Sequence, residues 1–87
     1  MIAIEIVWSR IKQHEGEEFH QIRGKEFIYT IIGNNLIPPT NRTIPKSDFG
    51  KALELVPLSG TTEVQHLQGP SYIYAILMDK RIRQSDW

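Results

Sequence analysis

An α+β fold is what this 87-residue chain predicts, and three stretches carry the prediction. In the first, Phe27, Tyr29 and Ile31 alternate with Ile28, Thr30 and Ile32, and β-branched and aromatic residues at period two favour a strand. Gly33-Asn34-Asn35 then tolerates the positive φ of a turn, and Leu36-Ile37 resumes the apolar pattern. The second stretch, 47–56, repeats apolar residues at helical spacing and stops against Pro57. The third opens on Gly69-Pro70, and proline at a first helical position is already set for a helix start.

Taken in order, residues 1–14 fit two patterns. Ile4, Val7, Trp8 and Ile11 form a helical stripe, and Ile2, Ile4, Ile6 and Trp8 form a strand face. A helix is preferred because Arg10, Lys12 and His14 near its end suit the dipole, and Gly16 is a terminator. Trp8 is then a core or interface residue. Residues 15–18 make an acidic loop, 19–23 a short strand, and Gly24-Lys25 the turn into 26–32. The predicted sheet is a three-stranded antiparallel meander of 19–23, 26–32 and 35–38. Pro38-Pro39 makes its last strand very short or an edge, since proline cannot donate to a central ladder. Thr43-Ile44-Pro45 is a further extended piece or a lead-in.

The helix of 47–56 takes Ser47 as its N-cap and Asp48 in its first turn, where negative charge is favoured. Phe49, Ala52, Leu53 and Val56 form its buried face. Gly50 costs this helix about 0.5–1 kcal/mol relative to alanine, and a close backbone contact is one reason to keep it. Residues 58–69 connect, with a short helical turn starting at 61–63 and carrying Val64 and Leu67. A last helix over 70–80 presents Tyr72, Ile73, Ile76 and Leu77 inward. Its run 72–78 has no charge, so as a helix it needs cover nearly all round, from the sheet or a second copy of the chain. A strand is the alternative there. Lys80, Arg81, Arg83 and Trp87 lie on a solvated tail, unless the tryptophan folds back. The whole reads as an N-terminal helix, the meander, and two C-terminal helices on one face of the sheet. The order is distantly similar to a winged-helix layout, from which it departs because there a three-helix core precedes the wing.

Composition bounds the function. A chain this short buries roughly 60–65% of its extended surface and forms one small domain. It has no cysteine, which removes disulfides and thiolate metal sites and leans to the cytoplasm. No run of 18 apolar residues would span a membrane, and an early Glu5 without a basic lead does not read as a signal peptide. Lys+Arg and Asp+Glu are both 10, so phosphate contacts do not dominate the chain, and the absence of net repulsion makes self-association easier.

Four classes of site follow. Aromatic residues are enriched at interfaces, so Trp8, Tyr72, Tyr74 and Leu77 are the expected protein interface, with a second copy or another protein as partner. Nucleic acid is the alternative partner: Arg42, Lys46 and Lys51 surround a helix start among Asn41, Thr43 and Ser47, and free N–H groups at helix starts commonly meet phosphate. Arg81 and Arg83 are a second basic candidate. A metal site is not expected: His14, Glu17, Glu18 and His20 are close in sequence, but their spacing fits no standard motif, and His66 joins only by tertiary accident. Catalysis and cofactors are not expected either. Ser9, Ser47, Ser59, Ser71 and Ser85 lack a nucleophile-elbow context, neither GxGxxG nor Walker A occurs, and nothing in the spacing selects an acid–base pair from Glu17, Glu18 and His20. The stretches GKEFIYTIIGNNLIP, KSDFGKALELVPLSG and GPSYIYAIL resemble small bacterial proteins of no named family, a likeness that carries no catalytic or binding residue onto this chain.

Overall fold

The structure, a computed structural model, describes residues 3–84 and Trp87. The first helix, α1, spans Ile4–Gln13 and buries Val7, Trp8 and Ile11. Ile6 is 51% exposed, the outcome that the helical stripe requires and the strand face forbids. Met1 and Ile2, part of the expected 1–14 element, lie outside the described residues.

The class is α+β as predicted, but the strands are shared out differently. A two-stranded hairpin pairs β1 (Phe19–His20) with β2 (Glu26–Phe27), Phe19 opposite Phe27 and His20 opposite Glu26. A separate three-stranded antiparallel sheet is built from β3 (Thr30–Ile32), β4 (Asn35–Ile37) and β5 (Ile44–Pro45), in that order. The expected strand 26–32 is therefore divided at Ile28-Tyr29, and the expected strand 19–23 keeps only two residues. The hairpin turn accounts for the second, since the Gln21 amide donates to the Lys25 carbonyl (2.8 Å) and the Gly24 amide to the Gln21 carbonyl (2.7 Å) where the strand would have continued. The acidic loop accounts for the first. The Gly16 amide donates to the Tyr29 carbonyl (3.2 Å), and the Ile31 amide donates to a Glu15 carboxylate oxygen (2.7 Å). Loop groups thus occupy the edge that a longer first strand would have paired with. Thr43-Ile44-Pro45 proves to contain the third strand of the sheet.

Register sorts the faces of that sheet. Ile31, Leu36 and Ile44 line up on the inner side, and Leu36 and Ile44 are fully buried. Ile32, Asn35 and Pro45 line up on the outer side. Gly33, at φ +61°, opens the two-residue turn between β3 and β4, a place where a side chain would strain the backbone.

Helix α2 (Lys46–Leu53) leaves β5 without a loop and packs against α1, where Trp8 and Phe49 rings meet at 5.8 Å. A 3₁₀ turn at Thr62–Val64 buries Val64, with Leu67 following it into the core, as expected. Helix α3 (Pro70–Leu77) buries Tyr72, Ile73, Ala75, Ile76 and Leu77, so its uncharged run is covered by the chain itself. Phe27 meets Tyr72 edge-on at 4.9 Å, and Phe19 meets Tyr29 at 5.3 Å. These rings join the hairpin to α3 in one continuous apolar cluster. The Tyr29 hydroxyl donates to the Ile11 carbonyl at 2.6 Å, tying the strand region to the end of α1, and burial pushes its pKa well above the ordinary phenol range.

The C-terminal segment is not a solvated tail. Ile82 is fully buried and Trp87 nearly so. Arg10 donates to the Ile82 carbonyl at 2.9 Å, and the Arg83 guanidinium lies 4.7 Å from the centre of the Trp87 ring. Backbone carbonyls and buried apolar groups offset the ordering entropy that charge composition alone would leave unopposed. No helix among the described residues is long and apolar enough to cross a membrane.

Candidate functional site

The junction of β5 and α2 forms an open cleft. Strand residue Pro45 sits at the N-cap position with extended backbone (φ −73°, ψ 151°). Because the strand runs straight into the helix, Ser47 falls inside the first turn and is not the cap expected from sequence. No side chain caps the helix start, so the amides of its first turn lack side-chain acceptors. The Lys46 amide donates to the Asn34 carbonyl at 2.8 Å, which fixes the β3–β4 turn beside the helix start. Asp48 points inward, is buried, and accepts the Gln68 amide at 3.0 Å. Its carboxylate therefore braces the segment before α3 and is turned away from the cleft.

The cleft holds about 440 Å³ and is lined by Ile4, Asn34, Asn35, Pro45, Lys46, Ser47 and Gly50. One cation, two carboxamides and a hydroxyl share it with an apolar wall. Lys46 Nζ lies 3.8 Å from Glu5 Oε2, a long and solvated pair that weakly competes for the ammonium. Of the three basic residues expected to contact nucleic acid, only Lys46 lines the cleft. Arg42 is exposed in the connection between β4 and β5, and Lys51 is exposed on α2; both flank the cleft in sequence without lining it.

The expected protein interface is placed differently. Trp8, Tyr72 and Leu77 are inside the core, and Tyr74 is half-buried against it. Among the described residues, the large apolar side chains that do face outward are Ile6, Ile22, Ile28, Ile32 and Leu55.

Arg81 is removed from the basic candidates as well. Its guanidinium donates to both Asp79 carboxylate oxygens (2.9 and 3.0 Å), to Glu17 (3.1 Å) and to the Glu18 carbonyl (2.8 Å), and it lies 3.8 Å from the centre of the Phe19 ring. The hydrogen bond with Asp79 raises its pKa further. His14 hydrogen-bonds Glu17 through Nδ1 at 2.9 Å, and this bond is the main cause holding the Glu17 carboxyl below its ordinary value. Burial acts to raise the Asp79 carboxyl, but the hydrogen bonds and charge of Arg81 together hold it lower.

The four metal-capable residues that are neighbours in sequence do not converge. His14 and Glu17 join the Arg81 network, whereas Glu18 and His20 meet Glu26 from the opposite strand, with one ligand atom of each within 4.8 Å of the others. Glu26 is distant in sequence from that group, and the signal that finds it is the hairpin register. His66 is exposed on the connector before α3, and Ser85 lies outside the described residues. No protein family, curated protein or solved structure matches this chain.

Proposed function

We propose that the chain is a non-catalytic binding domain that takes a phosphate of a nucleic-acid backbone in the cleft where β5 runs into α2. The observation that carries this reading is the uncapped helix start opening onto Lys46, Ser47, Asn34 and Asn35. The first-turn amides after Lys46, an ammonium, carboxamide groups and a hydroxyl are hydrogen-bond donors that suit an anionic oxygen, and the helix dipole has its positive end there. Arg42 and Lys51, exposed on either side in sequence, would extend contact to adjoining phosphates. Binding of this kind positions a strand without reading its bases, so weak discrimination among sequences is expected.

The test is a titration of mixed-sequence single-stranded and duplex DNA and of RNA at two salt concentrations. Lys46→Ala should weaken binding across all sequences and flatten the salt dependence by about one unit. Arg42→Ala and Lys51→Ala should each do the same to a smaller degree. Failure to bind more tightly than about 100 μM at low salt ends the proposal, since only about 5.5 kcal/mol would then be available.

A further inference from the structure

We infer that the β1–β2 hairpin carries a site for a divalent transition-metal ion of the zinc class, with Glu18, His20 and Glu26 as its protein ligands. This inference is independent of the cleft at α2. The hairpin's register supplies the first support. His20 and Glu26 stand directly opposite each other, so their side chains leave the same face. Phe19 is buried between exposed Glu18 and exposed His20, and the strand's alternation puts Glu18 on that outer face too.

Distance supplies the second. His20 Nε2 and Glu26 Oε1 are 3.5 Å apart, longer than the hydrogen bond of about 2.9 Å that a directly paired imidazole and carboxylate would favour. Two ligands held at about 2.05 Å from one tetrahedral ion are separated by roughly 3.3 Å. The pair is close enough to share one ion, and one atom from Glu18 lies with both inside 4.8 Å.

The backbone beneath the cluster is held independently of any ion. Arg81 binds the Glu18 carbonyl at 2.8 Å. The hairpin loop is closed by the Gln21 amide on the Lys25 carbonyl (2.8 Å) and the Gly24 amide on the Gln21 carbonyl (2.7 Å). Beneath, Phe19 and Phe27 are buried opposite each other. A ligand set already on one rigid face loses less entropy on binding than one that must be gathered. The donor chemistry selects the ion: an imidazole with two carboxylates suits zinc, copper or nickel, whereas magnesium and calcium prefer oxygen alone. Three protein ligands leave a coordination position open to water or to an anionic group of a partner.

The experiment titrates the full chain with zinc chloride, followed by calorimetry and by ¹⁵N-resolved amide spectra, with magnesium and calcium in parallel. The expected result is one zinc per chain, bound at about 100 μM or tighter, with amide shifts centred on residues 18–20 and 26–27. His20→Ala and Glu26→Gln should each weaken it about tenfold or more, and both, being exposed, should keep the parent's amide dispersion. His66→Ala should change nothing. The inference is overturned by an absence of saturable binding at millimolar zinc, by unaltered affinity in both His20→Ala and Glu26→Gln, by shifts centred on His14 or His66, or by magnesium binding as tightly as zinc.

Discussion

Arg81 joins more of the molecule than any other charged side chain described. It touches Asp79, Glu17, the Glu18 carbonyl and the Phe19 ring, so it fastens the segment after α3 to the start of the hairpin. Its partners are partly exposed, which screens the ion pairs and leaves the stacking and the carbonyl bond as the firmer contributions. Arg81→Ala should therefore cost about 1–2 kcal/mol in urea unfolding. The pH dependence has a defined sign. Asp79 and Glu17 have folded-state pKa values below their ordinary ones, so acidification protonates the unfolded chain first. Their contribution is fully present above the ordinary carboxylate range and is lost as pH falls below it. Arg81→Ala should flatten this acid limb, and an unchanged limb would show that the network does not couple to folding. Gly69 makes a sharper case of a single residue. It caps α3 at φ +59°, and a Cβ there would meet Ile44 Cδ1 at 2.7 Å. Gly69→Ala should cost about 1–3 kcal/mol from the left-handed backbone alone, with displacement of the buried Ile44 added to it.

At the scale of the element, α2 combines two demands that a single substitution separates. Gly50 lies within the helix, and a Cβ there would sit 3.7 Å from Ile4, an ordinary contact. Close approach therefore does not require glycine at this position. Gly50→Ala should raise stability by about 0.5–1 kcal/mol, read as a higher urea midpoint with an unchanged slope. Because Gly50 also lines the cleft, the same change should weaken nucleic-acid binding severalfold if the ligand enters there. A gain in stability with no change in binding would move the ligand off this wall. The strands show a related division of labour: Glu15 and Gly16 cover the outer edge of β3, and a covered edge does not recruit another strand.

The association behaviour of the whole molecule follows from what its core consumes. Trp8, Tyr72, Tyr74 and Leu77 were the aromatic and apolar groups expected to meet a partner; Trp8, Tyr72 and Leu77 are internal and Tyr74 is half-buried against the core. With them enclosed, sedimentation velocity should give a monomer mass up to about 100 μM, despite a net charge of zero that provides little repulsion. A dimer at that concentration would instead implicate the outward Ile28 and Ile32, exposed at 54% and 63%. Ile32→Lys should then restore the monomer.

The stripe of α1, the turn at Gly33, the amphipathic face of α2 and the Gly-Pro start of α3 were legible in the sequence because each depends on neighbours within about one or two turns of chain. Periodicity and the φ preferences of glycine and proline act at that range. Lys46 beside a helix start was legible for the same reason. Sequence did not divide 26–32 into two strands, because the groups responsible, Glu15 and Gly16, reach the strand only in the folded chain. Tyr72 and Leu77 read both as inward helix positions and as partner-facing ones, since an uncharged helix reads alike whether its own sheet or a second copy covers it. Charge made the end of the chain look solvated, while buried Ile82 and the carbonyls that receive Arg10 and Arg81 hold it down. Glu26 joined Glu18 and His20 only through cross-strand register. Local propensity determined most of the elements, and long-range hydrogen bonds and burial decided their pairing, their ends and which side chains meet, because those energies exist only once distant segments are in contact.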